Sequence, residues 1–227
     1  MSLKFMDEVK EWLDRFNYNQ KNRQCARFAW LCGLRALPFL STVRGFTYWP
    51  EEDRKKHLDA IIKALDCCKS RWECLNNRPL NNGESAGIYE ARNNVSEATQ
   101  ALIDDTPRAI RVALNSVDFA AQAHLNPSFA VEAAWRVDHA YAWAFDSATV
   151  KYYVVIETSD DRASPARMSF RNTLKEDSIA INEGKRFFPI RVTGNYAELW
   201  SNFREDLVNA GCDNLVNEFV NIYVLFE

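Results

Sequence analysis

Residues 107–147 constrain this chain more than any other stretch: PRAIRVALNSVDFAAQAHLNPSFAVEAAWRVDHAYAWAFDS. Apolar residues recur there at steps of three and four, at Ile110, Val112, Ala113, Val117, Ala120 and Ala121, with His124 in the same series. After Asn126-Pro127 the pattern resumes at Phe129, Val131, Ala134, Trp135, Tyr141 and Trp143. That spacing is helical, and so much alanine on a nearly all-round apolar surface suits two helices packed at close axial distance inside a bundle. Other helices must cover this pair.

Further helices are readable on both sides. Phe5, Met6, Val9, Trp12, Leu13 and Phe16 give residues 3–17 one apolar face. Residues 22–40 are apolar around most of their circumference, with a kink or an end expected at Pro38, which leaves the Leu34 carbonyl without its helical donor. A loop through Gly45 and Tyr48 follows. Pro50 opens a third helix, with Glu51, Glu52 and Asp53 where the helix dipole favours acids, running to about Cys74. NNRPLNNG at 76–83 is a turn, and 84–104 a more polar helix.

Beyond Asp146 the pattern changes. TVKYYVVIET (149–158) is β-branched and aromatic and reads as a strand; RFFPIRVT (186–193) reads as another, demoted towards a sheet edge by Pro189. Residues 167–182 are ambiguous, with weak helical spacing at Met168, Leu174 and Ile181. Residues 196–210 form a clear helix, and VNIYVLFE at the end is a strand or the close of one more helix. The expected class is mainly α with a small α/β part: a helical bundle over 1–147, then a small α/β module over 148–227 packed on it.

Composition narrows the function classes. At 47% hydrophobic residues the chain has ample material for a core, so disorder is excluded. A net charge of −3 from 28 basic and 31 acidic residues argues against nonspecific nucleic-acid binding, which needs a basic face. The six cysteines lack zinc or disulfide-framework spacing. Cys25 and Cys32, two helical turns apart, would sit with Cα atoms about 10 Å apart, too far to bridge. Reduced, buried thiols in a cytoplasmic protein are the expectation. MSLKFMDEVKEW has no signal-peptide core, and no run approaches the roughly 18 apolar residues of a membrane span.

Catalytic grammar is sparse. Asp138-His139 looks like a pair, yet helix neighbours point roughly 100° apart, so this carboxylate cannot orient that imidazole. His139 instead lies between Trp135 and Trp143 at four-residue steps, a ridge that is either core packing or an anchor for a partner, since Trp is a frequent interface hot spot. Asn115, Asp118 and Gln122 draw a polar line along the first alanine-rich helix. It is either a solvent face or, buried against Asp138 and His139, one wall of a small polar pocket. Cys67-Cys68-x5-Cys74 lacks zinc geometry, and no phosphate loop, nucleophile elbow or E-x-x-H pair occurs; no metal or cofactor is expected.

Arg35-Ala36-Leu37-Pro38, followed by Asp53, Arg54, Ala60 and Ile61 and then by alanine-rich segments with aromatics and His over 113–144, resembles the immunity protein family of bacterial polymorphic-toxin systems. The resemblance covers about 25–147; the last 80 or so residues depart from the family pattern. It implies a stoichiometric protein inhibitor and supplies no catalytic residues. The first functional expectation is therefore a bacterial cytoplasmic protein of the immunity or antitoxin kind, neutralising a protein toxin through its surface. The alternative is a small-ligand receptor or enzyme with its site between the two modules, using Asp118, Asp138 and His139. A third reading is a subunit that forms homo-oligomers through its aromatic helices.

Overall fold

The computed structural model describes residues 4–74, 82–123, 125–146, 163–185 and 189–226. The protein is mainly helical with a small α/β part. Six helices carry the first two thirds of the chain: α1 (Lys4–Asp14), α2 (Lys21–Ala36), α3 (Arg54–Cys74), α4 (Asn82–Gln100), α5 (Arg108–Gln122) and α6 (Ser128–Phe145). Then come α7 (Pro165–Asn182), β1 (Ile190–Val192), α8 (Gly194–Asn209), a helical stretch over 213–223 with a π turn at Val216–Val220, and β2 (Val224–Phe226).

The α5–α6 hairpin is the centre, and its small residues are the reason. Ala109, Ala113, Ala120, Ala130, Ala133, Ala134 and Ala140 are all buried, which lets the helix axes approach until Ser116 Oγ donates to the Ala133 carbonyl at 2.9 Å. On α2, Gly33 serves the same end. A Cβ there would stand 2.7 Å from Leu65 Cδ2 and 3.1 Å from Ala120 Cβ, so any larger residue would have to displace these neighbours where α2 packs between α3 and α5.

Pro38 ends α2 as its missing N–H requires, and the chain continues as a 3₁₀ turn, Leu37–Thr42. The segment expected as a plain loop is instead a buried aromatic plug. Phe46, Tyr48 and Trp49 are covered, and their polar atoms are satisfied: Tyr48 donates to the Leu40 carbonyl at 2.8 Å and Trp49 Nε1 to the Ala98 carbonyl at 2.8 Å.

The ambiguous stretch 167–182 is helix α7, capped by Ser164, whose hydroxyl accepts from the Arg167 amide. Its inner face carries Arg167, Phe170, Arg171, Leu174, Asp177, Ser178 and Ile181, whereas Met168 points to solvent at 44% exposure. Expected in the C-terminal module, α7 packs on α2, α6 and α1. The buried core runs unbroken from Phe5 to Tyr223.

The sheet comprises β1 and β2, paired in parallel with Ile190 opposite Val224, and α8 lies on the crossover between them. The final segment is both of the alternatives read from it, helical to Tyr223 and extended from Val224. The strand expected over 149–158 lies outside the described residues, as does His124. Cys25, Cys32, Cys68 and Cys212 are free and buried, and Cys67 is free and half-buried. No described helix is long and apolar enough to cross a membrane.

Candidate functional site

α6 presents two chemically different faces. On its inner face Asp138 is fully buried and α7 brings two guanidiniums to it. Arg167 donates to both carboxylate oxygens, closest at 2.6 Å, and Arg171 donates to both at 2.9 Å. The Arg171 guanidinium also lies 4.3 Å from the centre of the Phe5 ring. Further along the same face of α7, Asp177 takes a two-pronged pair from Arg35 of α2, at 2.7 and 3.0 Å. Burial alone would raise the Asp138 carboxyl, but the charges and hydrogen bonds of Arg167 and Arg171 outweigh it and hold the group below the usual carboxylate range. At the second pair, burial pushes the Asp177 carboxyl up, with Arg35 opposing.

Every acceptor direction of Asp138 is thus taken by arginine. Such a carboxylate is neither a general base nor a ligand for anything else; it locks α7 onto α6. The polar pocket expected from Asn115, Asp118, Gln122 and Asp138 is not brought together, because the partners differ. Asp118 accepts from Gln122 Nε2 at 2.8 Å and lies 3.5 Å from Arg92 of α4, so this line is a seam with α4. Burial raises the Asp118 carboxyl, with Arg92 opposing. Asn115 is half-buried on the same helix.

The outer face of α6 carries the aromatic ridge. Trp135 and Trp143 are half-buried, whereas His139 is 7% exposed and is no surface contact. Its Nδ1 lies 2.9 Å from the Trp135 carbonyl, and a carbonyl only accepts, so Nδ1 carries the proton and Nε2 is an acceptor with no hydrogen-bond partner among the described residues. Burial, against the pull of Asp138, lowers this imidazole to about 4, so it is neutral at pH 7. The ring packs 4.3 Å from Trp135 and holds that indole outward.

Sequence spacing did not reveal what joins the ridge across two helices. Arg136 stacks 4.4 Å from the Trp135 ring and 5.6 Å from Phe119 of α5, which in turn stacks on Phe129 at 5.8 Å. Arg108 of α5 lies 4.9 Å over Trp143. The α5–α6 surface thus carries two such stacks, Phe129–Phe119–Arg136–Trp135 and Arg108–Trp143.

A third feature is a cavity of about 260 Å³ where the bundle meets α7, β1 and the start of α8. Tyr141 and Phe170, stacked at 4.5 Å, form its wall with Tyr196, and Arg35, Arg191 and Asn195 supply polar lining. Asp118, Asp138 and His139 are not among its lining residues. Among the described residues no group of three or more His, Cys, Asp or Glu is placed to hold a metal ion.

No family model, no curated protein and no solved structure matches this chain. The site must be read from its own geometry. Arg35, the first residue of the Arg-Ala-Leu-Pro segment, serves the fold through Asp177, and its carbonyl accepts from Tyr196 at 2.7 Å. Arg167 and Arg171 were missed in the sequence, although a signal existed. They share the apolar stripe of Phe170, Leu174 and Ile181, and a charge on such a stripe needs a buried partner.

Proposed function

We propose that this chain is a stoichiometric protein-binding protein of the immunity or antitoxin kind, acting in the bacterial cytoplasm and docking its partner on the α5–α6 ridge. The observation that carries this reading is the stack of Phe129, Phe119, Arg136 and Trp135, half-open to solvent on two alanine-rich helices. Trp and Arg are enriched at binding hot spots because they bury large area while retaining donors for a partner. Holding both in one orientation before binding removes part of the ordering cost of association. Trp135 and Trp143 are the contact residues in this reading, and His139 positions Trp135 from beneath.

The test begins with affinity capture from the native host by the wild-type chain, with Trp135→Ala/Trp143→Ala as the negative. The captured protein is then expressed alone and together with this chain. Growth arrest by the partner alone, relieved by the wild type but not by the double variant at equal protein level, supports the proposal. A captured partner that is harmless when expressed alone removes the antitoxin reading; equal capture by the double variant removes the ridge.

The seam cavity favours a second reading, in which a small ligand binds between Tyr141, Phe170 and Tyr196. Ser169→Trp, at an exposed lining position, separates the two. It fills the cavity while leaving Trp135 and Trp143 unchanged, so loss of function in this variant alone favours the ligand.

A further inference from the structure

A smaller groove lies away from both features, between the C-terminal end of α1 and the second half of α7. It measures about 170 Å³ and is lined by Trp12, Arg15, Lys175, Ser178, Ile179 and Glu183 among others. For scale, a cavity of roughly 150 Å³ admits a benzene ring. Its floor is apolar: Trp12 of α1 is 8% exposed, and Ile179 of α7 stands 45% exposed beside it.

The rim decides what can sit there. Of the nearby charges, Lys21 pairs with Asp14 at 2.8 Å and Glu183 with Lys185 at 2.9 Å, while Glu11 and Glu176 are exposed on the same two helices. Arg15 and Lys175, which flank the floor, make no ion pair with a described residue. Arg15 follows the last residue of α1, where a helix dipole favours a cation anyway. Lys175 is mid-helix in Pro165–Asn182, where the dipole gives no such reason. Two unpaired cations beside an apolar slot repel a basic occupant, and they would lose hydration without return beneath a neutral one.

We propose that this groove docks a segment of a partner protein that inserts one large apolar side chain flanked by carboxylates. The inference is independent of what binds the α5–α6 ridge. Arg15 and Lys175 pair with the carboxylates at the rim, and Trp12 and Ile179 receive the apolar side chain between them.

The test uses the full chain and a fluorescein-labelled peptide, Gly-Asp-Glu-Phe-Glu-Asp-Gly, followed by fluorescence anisotropy. Saturable binding with a Kd below about 1 mM is expected, weakened roughly tenfold when Phe is replaced by Ser. Arg15→Glu/Lys175→Glu should weaken it by a further factor of about ten, while Lys55→Glu/Lys63→Glu on α3, which changes net charge equally, leaves it within about twofold. All four positions are exposed, so the fold is retained, which far-UV circular dichroism checks. Absence of saturation by about 1 mM overturns the proposal, as does equal binding of a Lys-Phe-Lys peptide or equal weakening by the distant pair. Sedimentation of the protein with phosphatidylserine vesicles, in the absence of peptide binding, would identify the patch as a lipid contact and also sink it.

Discussion

On one side of α6, Arg167 and Arg171 close on Asp138, with none of the three side chains more than 7% exposed. On the other side, two residues away and so turned by roughly 200°, Arg136 lies half-open to solvent across Trp135 and Phe119. The residue type is the same and the environment is opposite. In the dry seam a guanidinium survives only because a carboxylate accepts its N–H groups in the plane, and removing that carboxylate strands two charges. On the surface the ring faces of Trp135 and Phe119 hold the guanidinium by cation–π contact, worth far less than a buried ion pair. Buried arginine therefore reports on the fold, and half-exposed stacked arginine on a surface built for contact.

The largest effect should come from breaking the buried side. Asp138→Ala is expected to lower stability by about 3–5 kcal/mol in urea denaturation, because Arg167 and Arg171 are left unpaired. Replacing all three together, as Asp138→Leu/Arg167→Met/Arg171→Met, should recover most of that loss, leaving stability within about 2 kcal/mol of wild type. A triple variant no more stable than Asp138→Ala would mean that the cluster contributes more than mutual neutralisation.

On the ridge the ranking reverses. Trp143→Ala should weaken partner binding by about 2 kcal/mol or more in calorimetric titration, with a much smaller change in denaturation midpoint, since the indole is only half-buried. Undiminished affinity would remove Trp143 from the interface and leave it as packing.

His139 sits between the two sides and titrates. Its folded value of about 4 lies below the unfolded value of roughly 6.5, so the unfolded chain binds more protons between them. Stability from this residue is complete above the unfolded value and drains away as pH falls towards the folded one. The loss between pH 7 and pH 5 should be on the order of 2 kcal/mol, and His139→Leu should flatten it. Asp138, held below the usual carboxylate range, adds nothing in that window; its contribution is lost only at lower pH, as the solution passes its folded value. An equally steep acid loss in His139→Leu would place the sensitivity elsewhere.

The smallest effect belongs to Arg44, which bridges to Asp206 and Glu205 on α8 from a half-exposed position. Breaking the exposed half of that bridge by Glu205→Ala should cost no more than about 1 kcal/mol, well below Asp138→Ala, because water competes for that contact, whereas Arg44→Ala would also strand the buried Asp206 carboxylate. A cost equal to that of Asp138→Ala would erase the distinction between the two kinds of arginine.

Much of the helical frame was legible in local pattern. The alanine spacing of α5 and α6, the acids at Glu51–Asp53 and the missing donor at Pro38 act within a few residues, so reading them required no partner. Hydropathy places the α7 stripe at Met168, Leu174 and Ile181, of which only the last two are inward; the true stripe includes Arg167, Arg171 and Asp177, which hydropathy alone assigns to solvent. The Trp135–His139–Trp143 spacing was visible as a ridge, but not the stacking of Arg136 and Arg108 on it, because each guanidinium's ring partners depend on where α5 and α6 cross.

What the sequence determined by itself was therefore the periodic and the local: helix spans and breaks, and the alanine seam. Tertiary structure alone decided which charges are buried and with whom, that Tyr48 and Trp49 plug the core, that α7 belongs with α2 and α6, and that Arg15 and Lys175 flank one groove. The reason is physical. Helix formation is governed by neighbours three and four residues away, whereas an ion pair such as Arg35–Asp177 spans 142 residues of chain and exists only after the helices have packed.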